Sequence, residues 1–327
     1  MKPFFRPNPL AILLLAVLLL AAQCGATPPP TGAPAGGETP SLAPVSLAAG
    51  ERLRVVATTT ILADIVRNVG GERIALTTLL PGGVDPHTFE PTPRDLATVA
   101  GAHVLFANGF GLETFLARML QNAGANVPVV EVSAGVTPRR LAPGEGDADE
   151  AGAVDPHTWT SPANAIRFVD NIAAALSALD PAHAGEYAAN ARSYRRQLEE
   201  LDAWIRAQIE SIPPENRALV TDHAVFGYYA DRYGLRQVGA IIPSFSAAAE
   251  PSAGEIAALE ATMAQYGVKA VFVGNSVNPA LAQRVADDTG ARLVRLYTGS
   301  LGEPGSGAET YLDYLRYNTV AIANALR

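Results

Sequence analysis

The chain has 327 residues, 48% hydrophobic and 17% charged, enough for two ordinary domains with buried cores. A formal charge of −8 and a pI near 5.2 exclude nucleic acid as a partner, because a phosphate backbone demands a basic face. A single cysteine, Cys24, excludes an internal disulfide framework, so stability must come from packing.

Residues 1–23 read as an export signal. Lys2 and Arg6 form a positive start, and the apolar run 10–22 that follows is short for a membrane span. Without Lys2 and Arg6 the mature chain carries about −10. Cys24 stands between that run and a Pro/Gly/Ala/Thr stretch reaching residue 49, as in a bacterial lipoprotein whose lipidated cysteine becomes the new N-terminus. Gln23 departs from the small residue such sites favour, and an incidental cysteine in a cleaved signal is the other reading. Residues 24–50 are read as a flexible tether with too few large apolar side chains to pack.

From residue 51 onward, short apolar strands alternate with amphipathic helices. Strand patterns fall at 54–59, 74–80, 103–107 and 127–132, with helical spacing at 61–69, 93–100 and 112–122. An acidic loop, 144–153, precedes a helix over 162–179 and a second long helical run to about residue 212. Leu198, Leu201, Ile205 and Ile209 lie on one face of that run, and Pro213-Pro214 ends it. At about 30 residues such a helix reaches roughly 45 Å, long enough to run along two domains. The alternation then resumes, with strands at 218–221, 238–242, 270–273 and 292–296 and helices at 226–233, 253–266, 280–289 and 308–326. The expected fold is α/β: two lobes, each a parallel-type sheet with flanking helices, 51–178 and 214–327, joined by a long rigid helix over 179–213.

One local repeat stands out: Val84-Asp85-Pro86-His87-Thr88 returns as Val154-Asp155-Pro156-His157-Thr158. Both copies lie in loops before a helix, and the proline restricts the backbone that presents the imidazole. A rigidly presented imidazole suits metal coordination, and the preceding aspartate is placed to set its tautomer. A third histidine, His223, follows the strand at 218–221, where ligands bind in α/β sheets. Taken singly, each Asp-Pro-His is more commonly a turn; the pairing is what raises the metal reading. His103 and His183 have no such context and read as structural or solvated.

The residues that carry a family resemblance are VVATTTILADI (55–65), PGGVDPHTFEPTPRD (81–95), DPHTWTSP (155–162), VTDHAVFGY (220–228), AEPSA (249–253) and TYLDYLRYN (310–318). In that order they resemble the metal-specific solute-binding proteins of bacterial ABC importers, cluster A-I. The resemblance implies a periplasmic-type two-lobed binding fold and a monomer that delivers a divalent metal to a transmembrane permease. Its ligand positions fall on His87, His157 and His223. A histidine at the third position goes with zinc and a glutamate with manganese, so Zn2+ is the implied cargo and Mn2+ the alternative, which agrees with the preference of zinc for nitrogen donors. Manganese-type members, and some zinc ones, supply a fourth ligand, an aspartate, from a late loop; Gly299 stands at that place. Zinc members often carry a longer metal-gathering loop, rich in histidine and acidic residues, where this chain has Glu145, Asp147, Asp149 and Glu150 without histidine, so a solvated loop is the simpler reading. A zinc hydrolase is the rival, because three imidazoles leave an open position for water. It lacks both an HExxH and a GxSxG arrangement. A surface adhesin with an incidental metal is a third reading.

Overall fold

The computed structural model describes residues 42–327 except 125, 142–144, 146–151 and 245–249. The export signal, Cys24 and most of the acidic loop lie outside the described residues.

The amino-terminal half contains strands β1 (Leu53–Ala57), β2 (Ile74–Thr78), β3 (Val104–Ala107) and β4 (Val129–Glu131). They form one parallel sheet in the order β2-β1-β3-β4. Helices α1 (Thr60–Gly70), α2 (Pro93–Ala100) and α3 (Leu116–Ala123) connect them. Helix α4 (Pro162–Leu179) follows, then α5 (Ala184–Glu210). The carboxyl-terminal half repeats the plan with β5 (Ala218–Thr221), β6 (Arg236–Ala240), β7 (Ala270–Val273) and β8 (Arg292–Arg295), again parallel, in the order β6-β5-β7-β8. Helices α6 (Gly227–Tyr233), α7 (Ala253–Tyr266), α8 (Ala280–Thr289) and α9 (Tyr311–Leu326) flank it. The two-sheet α/β fold expected from the alternation is therefore present.

Both sheets turn one face to a shared interior. A single apolar cluster takes in Val55, Val104 and Phe106 from the first half and Leu219, Phe272 and Leu315 from the second. Helix α5 crosses it, burying Tyr187, Tyr194, Leu198, Leu201, Ile205 and Ile209. At 27 residues α5 is about 40 Å long. Each aliphatic side chain on its stripe, fully buried, contributes about 2 kcal/mol. The opposite sheet faces have separate clusters, around Leu105 and Met119 in one half and Val271 and Val285 in the other.

Four expectations are corrected. The helix expected from residue 112 begins at Leu116, because Gly109, Phe110 and Gly111 all have positive φ and Glu113 folds its carboxylate back onto the backbone N–H groups of Asn108 and Gly109. The last helix begins at Tyr311, not 308, where Thr310 caps it by accepting from Asp313 N. Strand β6 runs two residues earlier than its apolar pattern, starting with Arg236 N bonded to Arg217 O. The tether is not loose to its end: Leu42, Val45 and Leu47 pack on the shared core and Val45 N donates to Leu179 O at 2.7 Å. Three well-spaced apolar side chains are enough to anchor it.

Candidate metal centre

The twin motif folds as a twin turn. Asp85 Oδ1 accepts the backbone N–H of His87 at 2.9 Å, and Asp155 Oδ1 accepts that of His157 at 2.9 Å. Around the second copy the support is dense. Asn108 donates to Pro156 O at 2.8 Å and accepts from the Thr158 hydroxyl at 3.0 Å. Asn108 is itself held by Glu113, whose buried carboxylate also accepts from the Thr58 hydroxyl at 2.7 Å. Burial pushes the Glu113 carboxyl above its usual range. His223 sits just past the end of β5; its carbonyl accepts from the Thr221 hydroxyl at 2.6 Å and its N–H donates to Asp222 Oδ1 at 2.9 Å.

These three loops bring His87, His157 and His223 together, with one nitrogen from each inside a 4.8 Å circle. His87 Nε2 lies 3.1 Å from His157 Nε2. Two imidazoles on one tetrahedral zinc, each bonded at about 2.0–2.1 Å, sit roughly 3.3 Å apart, so the pair is already at the spacing a shared ion requires. His157 is fully buried and His223 nearly so, while His87 is partly exposed and lines a cavity of about 590 Å³ with Phe89, Phe115 and Arg118. Trp159 packs edge-on against the His157 ring, centroids 5.3 Å apart, which limits its rotation.

The tautomers are fixed from behind. His157 Nδ1 is 2.8 Å from Asp155 Oδ1, and His223 Nδ1 is 3.1 Å from Asp222 Oδ1. Each carboxylate takes an Nδ1–H, leaving the Nε2 lone pair for an ion. Asp155 is legible as this partner from the repeat, whereas the only sequence signal for Asp222 is its place directly before His223. The first copy differs: Asp85 bonds the backbone of His87, and its charge reaches the rings of His157 and His223. Burial, with the neighbouring His157 and His223, holds His87 down to about 2, so it is neutral across the physiological range. Burial also lowers His157, against the pull of Asp155. At His223 burial pulls downward, but the charge and hydrogen bond of Asp222 outweigh it and the net direction is upward.

His103 and His183 lie outside this cluster. His103 Nδ1 accepts from Arg54 N at 3.0 Å and His183 Nδ1 is 2.8 Å from Asp180, both structural contacts. Gly299 lies against the site loop: a Cβ placed there would come within 3.2 Å of Pro86 Cδ and 3.5 Å of Ser276 Oγ. The loop around it is bonded to the first half, with Gly83 N donating to Ser300 Oγ and Leu301 N to Thr60 Oγ1, both at 2.9 Å. Trp159 Nε1 donates to Thr298 O at 3.0 Å. Among the described residues, no other histidine, cysteine or carboxylate joins the three imidazoles as a group able to hold an ion.

Comparison with known proteins shows the family. Residues 55–325 match the family model described as ZnuA, zinc-uptake complex component A, periplasmic. The chain is 33% identical over 317 residues to the manganese-binding lipoprotein MntA of Halalkalibacterium halodurans, covering 97% of each chain. It is 34% identical over 284 residues to the manganese ABC transporter substrate-binding lipoprotein PsaA of Streptococcus pneumoniae strain TIGR4, covering 85% of this chain and 90% of that one. The solved structure of the periplasmic zinc-binding protein TroA from Treponema pallidum superposes with a TM-score of 0.77 at 29% identity, over 84% of this chain and 99% of that one. No helix among the described residues is long and apolar enough to cross a membrane. An extracytoplasmic metal-binding protein rather than an enzyme, the chain belongs to the ZnuA family of ABC-importer substrate-binding proteins.

Proposed function

We propose that this protein captures Zn2+ in preference to Mn2+ outside the membrane, through His87, His157 and His223, and delivers it to the permease of an ABC importer. The observation that carries the reading is the donor set: three imidazoles with ligand nitrogens within 4.8 Å of one another, two of them oriented by a carboxylate on Nδ1. Nitrogen donors suit zinc, whereas manganese favours a shell richer in oxygen. Gly299 brings no side chain to the site and closes against Pro86. Cys24 supplies a lipid anchor in this reading, and the chain works as a monomer.

Manganese is the second reading, favoured by the names of MntA and PsaA. Elemental analysis of protein purified without chelator separates the two. One zinc per chain with little manganese is expected; manganese in its place overturns the zinc assignment. Titration calorimetry of the metal-free protein should give a single site tighter for zinc than for manganese.

A further inference from the structure

The acidic loop leaves and rejoins the fold at one point. Arg140 and Val154 form an isolated antiparallel bridge, Leu141 N donates to Ala153 O, and Asp155 N donates to Arg139 O at 2.9 Å. The base of the loop is thus Arg139 on one side and the Asp155-Pro156-His157 motif on the other.

Arg139 meets three carboxylates there. Its Nη1 is 3.3 Å from Asp155 Oδ2, its Nη2 2.5 Å from Glu145 Oε1 and its Nε 2.9 Å from Asp231 Oδ2. The side chain is 11% exposed, Glu145 9% and Asp155 0%, while Asp231 on α6 is at the surface. The backbone closes the same knot: Arg139 N donates to the Tyr228 hydroxyl at 2.9 Å, which donates to Asp155 O at 3.1 Å. Asp155 therefore has its two oxygens divided, Oδ1 on His157 and Oδ2 on Arg139.

The start of α6 is shaped to accommodate this pair. A Cβ at Gly227 would fall 2.5 Å from Arg139 Nη1 and 2.6 Å from Asp155 Oδ2. Its φ is not in the left-handed range, so glycine is required there by space and not by backbone conformation.

We propose that Arg139 is a positioning residue for the metal site: by holding Asp155 it fixes His157, and it makes that hold depend on Glu145 of the acidic loop and Asp231 of the other half. A buried carboxylate oxygen that loses its donor must find another. Without Arg139, Asp155 turns to do so and Oδ1 leaves the His157 ring. The acidic loop then acts on the metal through a wire of two ion pairs. This inference rests on the reading of His157 as a ligand.

The test measures zinc affinity by chelator competition on the mature protein, beside the visible absorption of the cobalt-loaded form. Arg139→Met is expected to weaken zinc binding 10- to 100-fold and to alter the cobalt bands, as disturbed outer partners of metal-bound histidines do. Glu145→Gln is expected to weaken binding several-fold in the parent and to add nothing in the Arg139→Met background. A folded Arg139→Met protein with unchanged affinity and spectrum overturns the proposal, as does a Glu145→Gln loss that is fully additive. Gly227→Ala carries the same test if Arg139→Met does not fold, since its methyl displaces the pair while every charge remains; weakened binding supports the proposal and unchanged binding overturns it. His223→Ala in the same assay keeps the two readings apart. If it too leaves affinity unchanged, the three-histidine site itself is wrong; if it weakens binding while the Arg139 and Gly227 variants do not, only this inference fails.

Discussion

Asp222 and His223 are adjacent in the chain, and the carboxylate of the first takes both the backbone N–H and the ring Nδ1 of the second, at 2.9 and 3.1 Å. The other oxygen of Asp222 accepts from Gly274 N at 2.9 Å, which pins the pair to the end of β7. Asp222→Ala should therefore lower zinc affinity about 10- to 100-fold, through loss of ring orientation, while all three imidazoles remain. Calorimetric titration of the variant measures this; parent-like affinity would show that the ring is held by packing alone.

Exchange of the third imidazole should move the metal preference. His223→Glu replaces a nitrogen donor with oxygen at the end of β5, and its zinc-to-manganese affinity ratio should fall at least tenfold. Competition between the two ions on one sample reads the ratio directly.

Metal removal should lower stability by mass action. An ion that binds only the folded site adds about 4 kcal/mol at a free concentration 1,000 times its Kd. Melting with and without a chelator should show a large drop in Tm for the parent and almost none for a variant lacking two of the three histidines.

Acid should destabilise the metal-free protein. His87 and His157 are held below their ordinary value by burial, so below about pH 6.5 the unfolded chain takes up protons that the folded chain refuses. Stability contributed by these two groups is complete above that pH and lost as pH falls, at up to about 1.4 kcal/mol per pH unit for each group. His223, shifted upward, acts in the opposite sense near neutrality. The Tm of the metal-free form should fall between pH 7 and 5, and His87→Gln should flatten that slope.

Much of this was legible in the sequence. The helices at Pro93–Ala100, Pro162–Leu179 and Ala253–Tyr266 begin and end where their periodicity and their Thr, Pro or Ser starts place them. The clustering of His87, His157 and His223 was legible because a repeated pentapeptide and a strand end made them stand out from His103 and His183. Arg139 was not, because it lies in an aperiodic segment and its partners are 6, 16 and 92 positions away. Residues 42–47 looked like linker because three apolar side chains carry no period, yet spacing alone sets whether they reach the core. The shared core was also hidden, since hydrophobic periodicity reports which face is buried and not what it is buried against.

That shared core changes how cargo can leave. Parting the halves along α5 would expose an interior in which every large side chain costs about 2 kcal/mol to hydrate, far more than a passing contact with a membrane partner supplies. The loop carrying Gly299 is held to the first half by three hydrogen bonds, each worth about 1 kcal/mol. Such a molecule resembles a sealed jar more than a jaw: a partner that peels back the stopper can empty it while the walls stay still.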